Sequence, residues 1–176
     1  MNIKEYQQLA LRTEARNPEH TQADRWNHGV LGFLTECQEF FAALDPVEEV
    51  EELGDLMWYV ALLADVAQVD LSTIEHPGNV IEALATCEAR CADIGKRWKY
   101  YNIPPSEPAL KEAVTQLFLN VADIWNRLGS LDSIFEDVLD RNIAKLKARY
   151  PEKFTTEAAA NRDLAAERAA LEGGDK

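Results

Sequence analysis

The chain has 176 residues, enough for one domain with a real hydrophobic core and no disulfide staples. Thirty-one acidic against 18 basic residues give a net charge of −13, which argues against a nucleic-acid groove or an anionic membrane surface as partner. Cys37, Cys87 and Cys91 form no C-x-x-C pair, no apolar run approaches the ~18 residues of a membrane span, and the amino terminus lacks an apolar h-region, so the cytoplasm is the expected location.

Asn2 with Glu5 reads as a capped helix start, and Ile3, Tyr6 and Ala10 carry helical spacing to about Arg16. Asn17-Pro18 breaks it. Thr21 can cap a second helix, whose apolar stripe runs through Trp26, Val30, Phe33, Cys37, Phe40 and Leu44. His28, Gly32, Glu36 and Glu39 lie along the adjoining stripe, so these carboxylates border the core. Asp45-Pro46 restarts the chain with Asp as N-cap and Pro at the first helical position. Glu48 then falls where a capping box would place it. This third helix runs to about Val69, with Glu48, Glu52, Asp55, Tyr59, Leu62 and Val66 on one side. A solvated charge run would not turn into Tyr, Leu and Val along its own face, so the acidic half also faces a neighbouring helix.

Pro77-Gly78 ends the next connection, and Val80, Leu84, Cys87, Cys91, Ile94, Trp98 and Tyr101 form a seam alternating by four and three. Cys87 and Cys91 within it read as small core residues. After Ile103-Pro104-Pro105, Ser106 can cap a fifth helix with the same alternation: Leu110, Val114, Leu117, Val121, Ile124 and Leu128. The two seams predict an αα-hairpin at about 79–128. Phe118, Leu119 and Trp125 widen the second seam, a surplus that packs on the core or on another subunit. Gly129-Ser130 breaks the chain again. A sixth helix, from about Asp132 to Tyr150, carries Ile134, Phe135, Val138, Leu139, Ile143 and Leu146, and Pro151 stops it. The reading is an all-α bundle of about six helices over 1–154, followed by an Ala-rich, helix-prone tail over 155–176 that covers a neighbour or frays.

The chemistry concentrates in four acidic residues. Glu36 and Glu39 read E-x2-E, twelve residues follow, and Glu52 and Asp55 read E-x2-D. Residues three apart share a helix face. Two such helices side by side make a cage of hard oxygen ligands suited to Mg²⁺ or Mn²⁺. The competing readings are a solvated acidic face and a buried salt-bridge network. Asn142, Lys145 and Arg149 form one polar stripe on the sixth helix. Lys145 and Arg149 either compensate its dipole or bind phosphate. His28 reads as a polar residue at the edge of the second helix. There is no P-loop and no nucleophile elbow. None of His20, His28 or His76 has a Glu three positions before it, which disfavours a di-iron carboxylate bundle.

The segments LGFLTECQEF and EELGDLMWY, which hold these four acidic residues, together with RNIAKLKARYPEKFT over 141–155, resemble the MazG-like branch of the all-α nucleoside triphosphate pyrophosphohydrolases. The resemblance covers roughly residues 3–69 and 131–168; the hairpin at 79–128 matches less clearly. It implies Mg²⁺-dependent cleavage of a nucleoside triphosphate between the α and β phosphates, giving a monophosphate and pyrophosphate. It implies that Glu36, Glu39, Glu52 and Asp55 hold the metal, that Glu39 orients the attacking water, and that Asn142 and Lys145 contact the phosphates. It also implies a homodimer or homotetramer. Two alternatives accompany it: an enzyme restricted to dUTP or a modified nucleotide, and a non-catalytic helical oligomerisation or regulatory module with a degenerate site.

Overall fold

The computed structural model describes residues 1–75, 82–128 and 135–173, and every regular element among them is helical. The elements are α1 (Ile3–Leu11), α2 (Gln22–Ala42), α3 (Pro46–Ala67), a 3₁₀ turn (Leu71–Thr73), α4 (Leu84–Tyr101), α5 (Glu107–Leu128), α6 (Phe135–Arg149), α7 (Thr156–Ala160) and α8 (Leu164–Glu172).

The third helix is the axis of the bundle. From Leu53 to Ala67 every residue is buried except Asp55, Tyr59 and Asp65. A helix apolar nearly all round must be surrounded. Helices α1, α2, α5, α6 and α8 all pack on it. Two of the three exceptions, Asp55 and Tyr59, are one turn apart and face the candidate site. Asp65 instead accepts from Arg25 on α2 at 2.7 Å. The α4–α5 hairpin is present; α4 packs on α2 and α5 packs on α3. Leu119 is buried, and Phe118 and Trp125 pack partly buried against the core. The surplus apolar surface of α5 is therefore used within the chain.

Local sequence explains most boundaries. Thr21 and Asp24 form a reciprocal capping box that starts α2. The Asp45 carboxylate accepts from the amides of Val47 (2.8 Å) and Glu48 (3.0 Å), while Glu48 reaches back to the Leu44 amide at 2.8 Å. Gln68 ends α3 in the left-handed region.

Two boundaries differ from the sequence reading. The first helix stops at Leu11, short of Arg16, because the following residues are claimed by tertiary contacts. The Thr13 hydroxyl donates to the Ala10 carbonyl and accepts from the Trp58 indole N–H, and Glu14 is drawn into an ion pair with Arg25. The fourth helix begins at Leu84, after extended backbone at Ala83; His76, Pro77-Gly78 and Val80 lie outside the described residues. So do Gly129-Ser130, Asp132 and Ile134, ahead of α6. Of the two readings of the tail, its described residues show the one in which it covers a neighbour. Thr155 caps α7 and Asp163 caps α8. Helix α8 docks on α6 and α3, with Leu171 buried.

Candidate functional site

Helices α2 and α3 cross closely, and a glycine sets their separation at the site. A Cβ on Gly32 would lie 2.0 Å from the Tyr59 ring, so only glycine lets that ring lie flat against α2. The crossing brings Glu36 and Glu39 of α2 to Glu52 of α3. One carboxylate oxygen from each lies within 4.8 Å of the other two. Glu36 and Glu52 are half-buried and Glu39 is exposed.

No cation among the described residues pairs with this trio. Burial, then the proximity of Asp55, raises the Glu36 carboxyl from the usual 4.5 to about 7. Burial and the adjacent Glu36 raise Glu52 to about 8. Oε2 of Glu52 is buried and, among the described residues, is the one such side-chain oxygen without a hydrogen-bond partner. Buried polar atoms are rarely left in this state. A set of hard carboxylate oxygens with one lone pair aimed at nothing fits a divalent cation such as Mg²⁺ or Mn²⁺.

Asp55, the fourth acidic residue, stands apart from the trio. Its Oδ2 accepts from Lys145 Nζ at 2.5 Å and its Oδ1 accepts from Asn142 Nδ2 at 2.8 Å. Both partners project from α6, which approaches because Gly54 has no side chain: a Cβ there would lie 2.8 Å from Asn142. Lys145 is 0% exposed and also meets Glu51 at 3.3 Å. Burial opposes its charge, yet Asp55 and then Glu51 hold its pKa above the usual value. Asn142 in turn accepts from the buried Tyr6 hydroxyl at 2.9 Å, and that hydroxyl also contacts the Gly54 carbonyl at 3.1 Å. The six residues singled out in the sequence thus converge, but in two groups. Glu36, Glu39 and Glu52 form an uncompensated cluster. Asn142 and Lys145 hold Asp55 beside it.

A cleft of about 190 Å³ adjoins the cluster, with Glu36 and Asp55 on its wall. The rest of the lining includes Trp58, Tyr59, Tyr150, Phe154, His28 and Arg149. The His28 ring meets Trp58 and Tyr59 edge-on, with centroids 6.0 and 5.8 Å apart. Burial among these rings lowers its pKa below 6.5, so it is neutral at pH 7. Burial, then the charge of Glu36, raises the Tyr59 phenol to about 12, so it stays protonated. The volume is well under the ~300 Å³ of a pocket that engulfs a whole ligand. A space of this size takes one planar ring.

Sequence reasoning missed Glu51, Tyr6 and the aromatic wall. Glu51 had a signal, since it precedes Asp55 by one helical turn. Trp58, Tyr150 and Phe154 carry no signal beyond ordinary core residues, because only the tertiary arrangement opens a cleft between them. A scan against protein-family models and searches of curated proteins and of solved structures give no match.

Proposed function

We propose that the chain is a Mg²⁺-dependent nucleoside triphosphate pyrophosphohydrolase with a MazG-like all-α fold, cleaving between the α and β phosphates to give a monophosphate and pyrophosphate. One observation carries the reading. Three carboxylates converge with no basic side chain paired to them among the described residues, one of them with an orphaned buried oxygen, beside a cleft with aromatic walls. A buried salt-bridge network would have supplied a basic partner to the trio, and a solvated face would not bury Glu52 Oε2.

Glu36, Glu39 and Glu52 would hold the ion. Bound there, Mg²⁺ would offset their charge, neutralise phosphate oxygens and acidify a water. The chain's own residues do the positioning. Lys145 and Asn142 fix both oxygens of Asp55 at the edge of the cluster. Glu39, the exposed member, would orient the attacking water and take its proton. Trp58, Tyr59 and Tyr150 line the cleft and would offer their rings to a base. Phosphoryl chemistry leaves the protein mainly positioning and charge neutralisation, which this layout supplies. In this arrangement Lys145 and Asn142, both buried, act by holding Asp55 in place. A homodimer or homotetramer belongs to the same reading, and the exposed Leu31 and Phe41 on α2 offer apolar surface for it.

The test is a chromatographic assay of the purified protein with the common NTPs and dNTPs, including dUTP, with and without Mg²⁺. Mg²⁺-dependent monophosphate plus pyrophosphate is the expected result. Diphosphate plus phosphate would contradict the bond assignment. No turnover of any nucleotide would reject the reading in favour of a non-catalytic module.

A further inference from the structure

Helix α8 reaches the cleft through one buried carboxylate. Glu167 is 3% exposed. It accepts from Arg149 at both oxygens, Nε at 3.0 Å and Nη2 at 2.5 Å. It also accepts from Arg162, Nη2 at 2.6 Å and Nε at 3.3 Å. A bidentate guanidinium–carboxylate pair fixes the plane of the arginine as well as its position. Two guanidinium groups share one carboxylate, so the group keeps one net positive charge. Arg149 is the member of this group that lines the cleft. It is also the one fixed positive charge among the described lining residues, because His28 is neutral at pH 7. Its Nη1 has no hydrogen-bond partner among the described residues.

A bare buried charge on Arg149 would be costly, and an exposed flexible arginine would lose entropy on each binding event. The Glu167 brace avoids both. It holds the guanidinium against the Tyr150 ring, 5.8 Å from the centroid, with one edge left for a ligand.

We infer that the carboxy-terminal helix is part of the functional unit: Glu167, supported by Arg162, is a positioning residue that presents the open edge of Arg149 to the polyphosphate of the substrate. This rests on the proposed hydrolysis for its substrate class, and the open edge of Arg149 is the feature that calls for an anionic group on the ligand. The residue acts through Arg149 and touches no reacting atom.

The experiment compares the full chain with Glu167→Gln, Arg149→Lys and Arg168→Gln. Arg168 ties the same helix to Asp45 at 3.2 Å and, among the described residues, shares no hydrogen bond or ion pair with the Arg149–Glu167 group, so it reports on docking of α8. Two readouts are taken below the melting temperature of each variant: KM and kcat for the best triphosphate, and calorimetric binding of inorganic tripolyphosphate with Mg²⁺ present. Glu167→Gln and Arg149→Lys should each raise KM about tenfold with kcat within about threefold, and weaken tripolyphosphate by a similar factor. Arg168→Gln should lower the melting temperature and leave both constants unchanged. If the wild-type protein turns over nucleotides but Glu167→Gln keeps its KM and its tripolyphosphate affinity, the brace is refuted and the hydrolase reading stands. If the wild type turns over nothing yet binds tripolyphosphate through Arg149 and Glu167, the hydrolase reading fails and the brace stands. Absence of tripolyphosphate binding to the wild type, or an equal loss in Arg168→Gln, overturns the inference.

Discussion

The chain buries carboxylates in two opposite ways. Glu14 has a side chain only 3% exposed, and it accepts from Arg25 at 2.6 and 2.8 Å and from Arg16 at 2.9 Å. Burial opposes its charge, but the two arginines hold its pKa below the usual value. Glu36 and Glu52, less deeply buried, have no such partner among the described residues, and their pKa values rise to about 7 and about 8. The same fold therefore supplies arginines where a carboxylate is structural and, among the described residues, supplies none to the Glu36, Glu39 and Glu52 cluster. Unpaired buried charge costs stability, and sites that tolerate it are where function is sought.

Substituting each kind of carboxylate should separate the two regions most sharply. Glu52→Gln should keep the fold, reduce Mg²⁺-dependent turnover by at least about a hundredfold, and abolish the Mg²⁺-dependent gain in melting temperature. Glu14→Gln should do the reverse. It leaves Arg25 and Arg16 without their buried partner, and breaking such a pair costs about 3 kcal/mol. Urea denaturation should read that loss, while Mg²⁺ binding by calorimetry stays at the wild-type value. A Glu52→Gln protein that still gains stability with Mg²⁺ would show that the trio is not the metal centre.

Protons offer a gentler way to sharpen the contrast. The folded chain binds protons at Glu36 and Glu52 more tightly than an unfolded chain, whose glutamates ionise near 4.5. Between about pH 4.5 and 8 the folded state thus holds more protons at these two groups. Their contribution to stability is present at the acid end and is lost as the pH rises through 7 and 8. Glu14 has the opposite sign: its contribution persists at neutral pH and falls away only in acid. A divalent ion competes with the protons at the cluster. The Mg²⁺-induced shift in melting temperature should therefore be larger at pH 8 than at pH 6, measured by calorimetry at fixed metal concentration. An equal shift at both values would separate metal binding from these two carboxylates.

Much of this was readable in the chain, for identifiable reasons. Thr21, Asp45 and Pro46 act through local backbone chemistry, so their helix starts followed from sequence alone. The E-x2-E and E-x2-D spacings fixed which carboxylates share a face, and Glu36, Glu39 and Glu52 do meet. What failed depended on partners distant in sequence. The first helix was read too long because Thr13 and Glu14 are helix-compatible until Trp58 and Arg25 claim them. Nothing in the spacing of Asp55 foretells that Gly54 lets α6 in close enough for Lys145 and Asn142 to hydrogen-bond both its oxygens. The aromatic cleft and the Glu167 brace arise between segments about a hundred residues apart or from a tail whose composition says only that it is helix-prone.

The smallest effect tests the boundary between the two regions. Tyr6 belongs to neither a carboxylate pair nor the cluster, yet its buried hydroxyl orders Asn142, which orders Asp55. Tyr6→Phe removes one donor and leaves the Asn142 side-chain oxygen buried and unsatisfied, at a cost of about 1–2 kcal/mol. The ring still fills its place, so no cavity forms. If Asp55 matters to turnover as a positioned group, the same variant should lower kcat severalfold at 25 °C while Mg²⁺ affinity at Glu36, Glu39 and Glu52 is unchanged. A loss of stability with no change in kcat would place Asp55, with its Lys145 and Asn142 partners, on the structural side of the line and leave the trio as the whole of the metal-binding machinery.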